Sequence, residues 1–266
     1  VVARARRVLG TRKIGHSGTL DPDATGVLLL GVGPATRLLR FLTDLPKTYT
    51  AEFVLGVETS TLDAAGEVTA THEMSVTPGQ VRKAAAAFVG EIDQVPPMVS
   101  AIRVDGRRLH ELAREGIEIE REARRVTVHR YEIEPTEDPL AYRVEVECSS
   151  GTYIRSLAAD LGTALGGGAH LRDLRRTRIG SFGEDEAHPV EEAVVLPARE
   201  GMRDYPQVAV DDDLAALIAN GRVLTPEQLG VAGTGPWAVS DGAGRLLAVY
   251  ERVAEDRAKP AVVLPR

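Results

Sequence analysis

Residues 15–26 read Gly-His-Ser-Gly-Thr-Leu-Asp-Pro-Asp-Ala-Thr-Gly, and this dozen constrains the fold more than any other stretch of the chain. Gly15, Gly18 and Gly26 permit positive φ and close backbone approach. Pro22 fixes its own φ and biases Leu20-Asp21 towards an extended or turn geometry. A segment with so few accessible backbone states can hold one acid, Asp21, rigidly against a large ligand. His16 lies five residues upstream, and the apolar run Val27–Val32 follows at once. Taken alone, Asp-Pro is also an ordinary turn initiator and His16 a turn histidine bonded to nearby backbone.

A chain of 266 residues can form one large domain, or one plus a smaller one. Its hydrophobic content of 43% and charged content of 27% are those of a globular protein. No stretch approaches the roughly 18 uninterrupted apolar residues of a membrane span. The opening Val-Val-Ala-Arg-Ala-Arg-Arg-Val-Leu-Gly lacks the apolar core of a signal peptide. It also lacks an initiator methionine, so the true start is expected upstream. The single cysteine, Cys148, fits a reducing cytoplasm and reads as a buried strand residue within Tyr142-Val144-Val146-Cys148.

The net charge of −7 conceals a division. Residues 1–178 hold 24 basic and 24 acidic side chains, and residues 179–266 hold 8 against 15. Within residues 1–50 the balance is 8 basic to 3 acidic, and Arg175-Arg176-Thr177-Arg178 adds a second basic cluster. Clustered cations, not the total, are what RNA phosphates feel. Composition therefore permits RNA binding without demanding it.

Apolar spacing predicts a helix over residues 1–9, a buried strand at Val27–Val32 and a helix over Ala35–Leu45. Lys47–Val57 alternates like a strand. Thr77-Pro78-Gly79-Gln80 reads as a capping box with proline at the first helical position, opening a helix to about Val89. A short helix is predicted over Arg108–Arg114, stopped by Gly116. Val126–Ile133 and Tyr142–Cys148 read as paired strands, and Tyr153–Leu165 as a helix closed by Gly166-Gly167-Gly168. Periodicity fades around Pro197–Pro206. Beyond it come a helix at Asp211–Ala219 and strands near Trp237–Ser240, Leu246–Tyr250 and Ala261–Leu264. Irregular alternation with hairpin-like pairs favours an α+β fold over a doubly wound sheet.

Competing motifs fail on context. Gly166-Gly167-Gly168 follows a helix and lacks the lysine of a phosphate-binding loop. The six histidines form no His-x-x-x-His pair, paired cysteines are absent, and there is no Gly-x-Ser-x-Gly elbow.

The string at 15–26 resembles the active-site signature of the bacterial tRNA pseudouridine-55 synthases, the TruB family. Further segments match in the family's order: Lys47-Thr48-Tyr49, Thr59–Gly66 around Asp63, Ser149–Leu157 containing Tyr153 and Arg155, and Gly168–Arg176. Pro97–Arg114 is a looser match. The resemblance implies the pseudouridine synthase fold, a mixed and largely antiparallel sheet flanked by helices. It implies a catalytic domain over residues 1–205, with an RNA-gripping insertion at about 98–125. A small PUA-like β domain over 206–266 would follow. The family's first strand and its Lys-Pro-x-Gly-x-Thr-Ser segment precede the point where this chain begins, so one sheet strand is expected to be missing.

Isomerising uridine to its C-glycoside breaks the N-glycosidic bond, turns the uracil and rejoins it through C5. No redox change occurs, so no metal or cofactor is implied. The reaction needs a nucleophilic carboxylate, a cation to keep it ionised and an aromatic wall for the loose base. By resemblance these are Asp21, Arg155 and Tyr49. Attack at C1′, attack at C6 and a glycal route all remain open. Leu174 would line the pocket, Asp63 would support its polar network, and His16 would fill the space of the flipped nucleotide. Arg37, Arg40, Arg107, Arg108, Arg175 and Arg176 are the phosphate-contact candidates, with Tyr153 among the substrate-binding residues. Taken singly, Tyr49 and Leu174 read equally as core residues, Asp63 as an Asx-turn and each arginine as a solvated charge. Arg37 stands where the family commonly has lysine, and His110 where it commonly has tyrosine.

The partner implied is the T stem-loop of tRNA, acted on by a monomer without an obligatory protein partner. Two other readings compete. One is a guide-RNA-dependent synthase acting on ribosomal RNA. The other is a non-catalytic tRNA-folding or RNA-binding module.

Overall fold

The computed structural model describes residues 1–100, 103–104, 107–109, 115–117 and 119–265. The helix expected at Arg108–Arg114 lies largely outside the described residues, as do Gly106 and His110. The chain divides into two compact units. One comprises Val1–Gly18, Leu28–Asp44 and Asp185–Arg266, the other Thr19–Val27 and Leu45–Glu184. Residues 1–18 and 28–44 thus group by contact with the C-terminal third and not with the large sheet.

The second unit is built on a seven-stranded sheet. Along the chain its strands are β1 (Thr25–Gly26), β2 (Lys47–Leu55), β3 (Gly90–Gln94), β4 (Arg124–Pro135), β5 (Ala141–Cys148), β6 (Ala169–Ile179) and β7 (Phe182–Gly183). Their spatial order is β7-β6-β2-β5-β4-β3, antiparallel throughout, with β1 added in parallel to β6. Two helices accompany it, α1 (Pro78–Ala86) and α2 (Ile154–Ala164). Helix α1 opens on the expected capping box: Thr77 accepts from the Gln80 N–H, and the Gln80 side chain accepts from the Thr77 N–H. Tyr49, Ala51, Phe53 and Leu55 alternate onto one face of β2, and Ile154, Leu157, Ala158 and Leu161 of α2 share their core. The α+β class expected from the sequence is the one found.

Strand β6 carries the feature that shapes the site. Its register against β2 slips by one residue between Arg172 and Arg175, and again between Arg176 and Arg178. Asp173, with φ of 55°, occupies the first bulge. Each slip reverses which side chains point inward. Ala169 and Leu171 face the core before the first bulge, Leu174 and Arg176 between the two, and Ile179 after the second. Arg176 therefore sits opposite Tyr49, on the same buried face.

The Asp21 loop is tied to this stretch of β6. The Val27 N–H donates to the Arg176 carbonyl at 2.8 Å, and Arg175 and Arg176 pair in parallel with Thr25 and Gly26. Only Leu30–Val32 of the run expected as one strand is a strand, pairing with Ile14–His16. Val27 instead belongs to the sheet unit.

In the first unit Val2–Val8 is helical, and the stretch expected as one helix begins as a 3-10 turn, Gly33–Leu38, before Leu39–Asp44. Leu38 and Phe41 share a core with Met202, Ala238, Leu246, Val249 and Val262. Strands Gln207–Ala209, Trp237–Ser240, Leu246–Ala254 and Arg257–Val263 form a four-stranded sheet, and Asp211 caps the helix Asp212–Ala219. Among the described residues, no helix is long and apolar enough to cross a membrane.

Gly26 has φ of 99°, and a Cβ there would stand 2.1 Å from the Arg176 carbonyl oxygen. Gly26→Ala is expected to lower the unfolding free energy by at least about 1–3 kcal/mol, the usual range for forced backbone strain. Urea denaturation reads this loss, and faster amide exchange at Ala24 and Val27 would accompany it.

Candidate active site

Asp21 and Arg155 meet. The Arg155 Nη2 donates to Asp21 Oδ1 at 2.8 Å, and the same nitrogen reaches the Val99 carbonyl at 2.9 Å. Nη1 donates to the Thr61 carbonyl at 3.0 Å, and Nε lies 3.6 Å from Asp63 Oδ2. The arginine side chain is 5% exposed and that of Asp21 35%. A buried cation thus grips a half-open acid. Asp63 is itself fixed, its Oδ1 accepting from the Thr61 hydroxyl at 2.5 Å and the Ala65 N–H at 3.1 Å. That is the expected Asx-turn, and the same carboxylate also faces Arg155.

Helix α2 starts without a side-chain cap at Tyr153. The Gln94 side chain, at the end of β3, takes over that role. Its amide nitrogen donates to the Tyr153 carbonyl at 3.0 Å, and its oxygen accepts the Tyr153 N–H at 2.7 Å. The Ser156 hydroxyl then donates to the Val95 carbonyl at 2.9 Å. This stitching sets the first turn of α2, and with it Arg155. Gln94 was not singled out by the sequence, because a lone glutamine at a strand end carries no motif.

Two opposing effects act on Asp21. Burial raises its carboxyl above the ordinary value of 3.8, and Arg155 pulls it back by charge and hydrogen bond, while Asp63 and Asp23 push it further up. Burial wins. Tyr49, 8% exposed, is likewise raised by burial against the pull of Arg176, with Cys148 and Asp21 adding to the rise. The Tyr153 phenol is raised by burial, with Ser100, Arg124 and Arg155 opposing the rise. The Cys148 thiol is buried and pushed up to about 11, the state of an inert strand cysteine.

The other expected residues divide. Leu174 packs partly buried against the core that contains Tyr49. Arg175 is exposed, pairing with Glu184 at 2.6 Å and Thr25 Oγ1 at 3.2 Å. Arg107 pairs with Glu115, and Arg40 pairs with Glu251 at 2.9 Å. Arg176 departs from the phosphate-contact expectation. It is 1% exposed, and its Nε donates to the Val27 carbonyl at 2.8 Å, because the bulged register turns it inward. His16 and Arg37 belong to the other compact unit, and both are exposed. His16 Nδ1 accepts the Gly18 N–H at 3.3 Å, the turn-histidine geometry. Among the described residues, no three His, Cys, Asp or Glu side chains gather as metal ligands do.

Arg155 pulls the Asp21 pKa down against burial, by charge and by hydrogen bond. Arg155→Met is therefore expected to move the acid limb of any Asp21-dependent activity to higher pH, seen in a pH–rate profile. The folded value of Asp21 lies above the unfolded one, so its stabilising contribution is complete below the unfolded value and lost as pH rises through the folded value. The ionised acid thus costs stability at neutral pH. Asp21→Asn is expected to be at least as stable as the native protein at pH 7 in urea unfolding, with any advantage vanishing below about pH 3.5.

Three family models cover the chain. Residues 6–154 match the TruB family pseudouridylate synthase N-terminal domain. Residues 155–212 match the tRNA pseudouridylate synthase B C-terminal domain, and residues 205–265 the tRNA pseudouridine synthase II C-terminal model. A tRNA pseudouridine synthase B of Rhodococcus jostii is 45% identical over 276 residues, covering 100% of this chain and 89% of the relative. That of Aromatoleum aromaticum is 48% identical over 230 residues, covering 83% and 74%. Among solved structures, a chain of a Cbf5-Nop10-Gar1 complex superposes with a TM-score of 0.73 at 25% identity, covering 100% of this chain and 79% of that one. A half-open aspartate held by a buried arginine on this sheet, in a chain matched along nearly its whole length, belongs to the TruB family of pseudouridylate synthases.

Proposed function

We propose that this protein is a tRNA pseudouridine synthase that isomerises uridine 55 in the T stem-loop, with Asp21 as its nucleophile. The observation that carries the reading is the 2.8 Å contact between Arg155 and a carboxylate that keeps about a third of its surface open. The Arg155 bond engages Oδ1, and Oδ2 meets no hydrogen-bond donor among the described residues. An acid so held is aimed, ionised by its partner and still accessible to substrate.

The target nucleotide is stacked in a folded loop and must be turned out before it can react. His16 is the residue we assign to the vacated space. Asp21 then engages the extruded nucleoside while the N-glycosidic bond breaks. Tyr49 and Leu174 wall the pocket in which the uracil turns, and Asp63 steadies Arg155 throughout. When C5 bonds to C1′, Asp21 is released, the C5 proton leaves and N1 takes up a proton, so the sum is an isomerisation that calls for no redox cofactor. Arg37 and Arg175, both exposed, are the phosphate contacts in this reading. The 1–205 catalytic and 206–266 C-terminal division is retained as a functional one, supported by a C-terminal family model that begins at 205. The enzyme works in the cytoplasm as a single chain.

The guide-RNA-dependent and non-catalytic readings are not favoured. Relatives at 45–48% identity carry the name tRNA pseudouridine synthase B, against 23–25% for the Cbf5 and H/ACA structures. Asp21, Tyr49 and Arg155 are moreover all present: Arg155 hydrogen-bonds Asp21, and the Asp21 charge acts on the Tyr49 phenol.

Asp21→Asn and Asp21→Ala are expected to abolish pseudouridine formation in a naked T-stem-loop transcript while leaving transcript binding within a few-fold. Tritium release from C5-labelled uridine and mapping of the modified position measure the first, and filter binding the second. Native turnover by either variant would refute the role of Asp21.

A further inference from the structure

Among the described residues of the sheet unit, Lys47 and Arg176 are buried cations outside the Asp21–Arg155 pair; Lys47 Nζ turns back to the Leu45 carbonyl at 2.7 Å, whereas Arg176 reaches towards the site. It enters a strand crowded with arginines, yet it alone is 1% exposed. Three observations converge on it. Its Cα stands opposite that of Tyr49 across the β6–β2 pairing, on the same buried face. Its Nε donates to the Val27 carbonyl, immediately after the Asp21 loop, and its own carbonyl accepts the Val27 N–H, each at 2.8 Å. Its guanidinium pulls the Tyr49 pKa down by charge and hydrogen bonding, against the rise that burial brings.

A guanidinium has five donors and no acceptor, so wherever the two side chains share a hydrogen bond the phenol oxygen must accept. One lone pair of Tyr49 is then occupied by Arg176. Its single O–H is left to point elsewhere, and it can only donate. The geometry points to Arg176 as a positioning residue for Tyr49: anchored on the carbonyl that ends the Asp21 loop, it holds the phenol oxygen from behind and directs the O–H, as a donor, into the pocket. This rests on the function proposed above and assigns Arg176 to the reaction in place of an RNA phosphate. The titratable and charged groups facing Tyr49 are Arg176 from β6, Cys148 from β5 and Asp21 from the loop. Arg176 is the cation among them, and it opposes the burial that raises the Tyr49 pKa.

The test uses the full-length protein and a T-stem-loop transcript. Arg176→Gln is expected to slow single-turnover pseudouridine formation by on the order of 10²-fold, the usual loss when one pre-set donor to a reacting network is removed. Transcript affinity and its salt dependence should not change. Added to Tyr49→Phe, which removes the phenol oxygen and keeps the ring, Arg176→Gln should cost no more than a few-fold further. Carbon-13 NMR of labelled tyrosine, with the Tyr49 signal identified by its loss in Tyr49→Phe, should show Tyr49 titrating at higher pH in Arg176→Gln. An unchanged rate, fully multiplicative losses, an unmoved Tyr49 titration or a salt slope reduced by about one would each overturn the proposal, the last by making Arg176 a phosphate contact.

Should Arg176→Gln not fold, nitrogen-15 spectra decide with folded proteins alone. A slowly exchanging Arg176 Nη–H signal present in the native protein and lost in Tyr49→Phe supports the contact, and its persistence in Tyr49→Phe overturns it. These spectra do not depend on the native protein modifying uridine 55, so failure of that reading would be told apart from failure of this one.

Discussion

A guanidinium that is 5% exposed cannot be left without acceptors, and the sheet unit is arranged around that requirement. Breaking a buried ion pair costs several kcal/mol because one charge is stranded out of water. Arg155 therefore draws together pieces that lie far apart in sequence: the Asp21 loop, the Thr61–Asp63 turn and the Val99 carbonyl. Each is held by its own local bonds before it meets the arginine. Thr61 and Ala65 fix Asp63, the β1–β6 pairing fixes the Asp21 loop, and Gln94 fixes the helix start that carries Arg155. The pair is thus pre-set, and substrate binding has little ordering left to do.

The same burial sets a conflict between holding the site and using it. For a carboxylate beside an arginine, the simplest expectation is a lowered pKa. At Asp21 desolvation outweighs the arginine and the balance is upward. A buried acid that is kept charged at neutral pH is a strained, reactive group, the kind of local instability active sites carry at the expense of the fold. Charge at the site is also finely shared. Asp63 and Asp23 push Asp21 up while Arg155 pulls it down, so each neighbour tunes this carboxyl.

Much of this was legible in the sequence, and the reasons differ from element to element. The capping box at Thr77, the paired strands β4 and β5 and helix α2 followed from local signals that also decide local structure. The meeting of Asp21 and Arg155 followed from family resemblance, since nothing in spacing alone brings residues 21 and 155 together. Strand β6 was not legible as a strand. Its two bulges break the alternation of apolar and polar residues, and four arginines lie in the broken stretch. Arg176 was accordingly read as one more surface cation. Gln94 was invisible for a simpler reason: its importance lies in two bonds to the backbone of a residue 59 positions away. The grouping of residues 28–44 with the C-terminal third, through Leu38 and Phe41, is likewise a long-range packing choice that no window of sequence can display.

The paired register slips in β6 make the strand unusually sensitive to changes in length. Inserted residues come in parity there: one extra position inverts every inward and outward assignment downstream, and a second restores it. Pairing the same residues without one of the two slips would turn Ile179 outward and carry the error to the end of the strand. Pairing them without either slip would leave Ala169, Leu171 and Ile179 on the inner face while Leu174 and Arg176 swung to the far side. A regular strand of this sequence would thus be silent to the core and fatal to the pocket, so the bulges of this strand encode its chemistry as firmly as the residue types do.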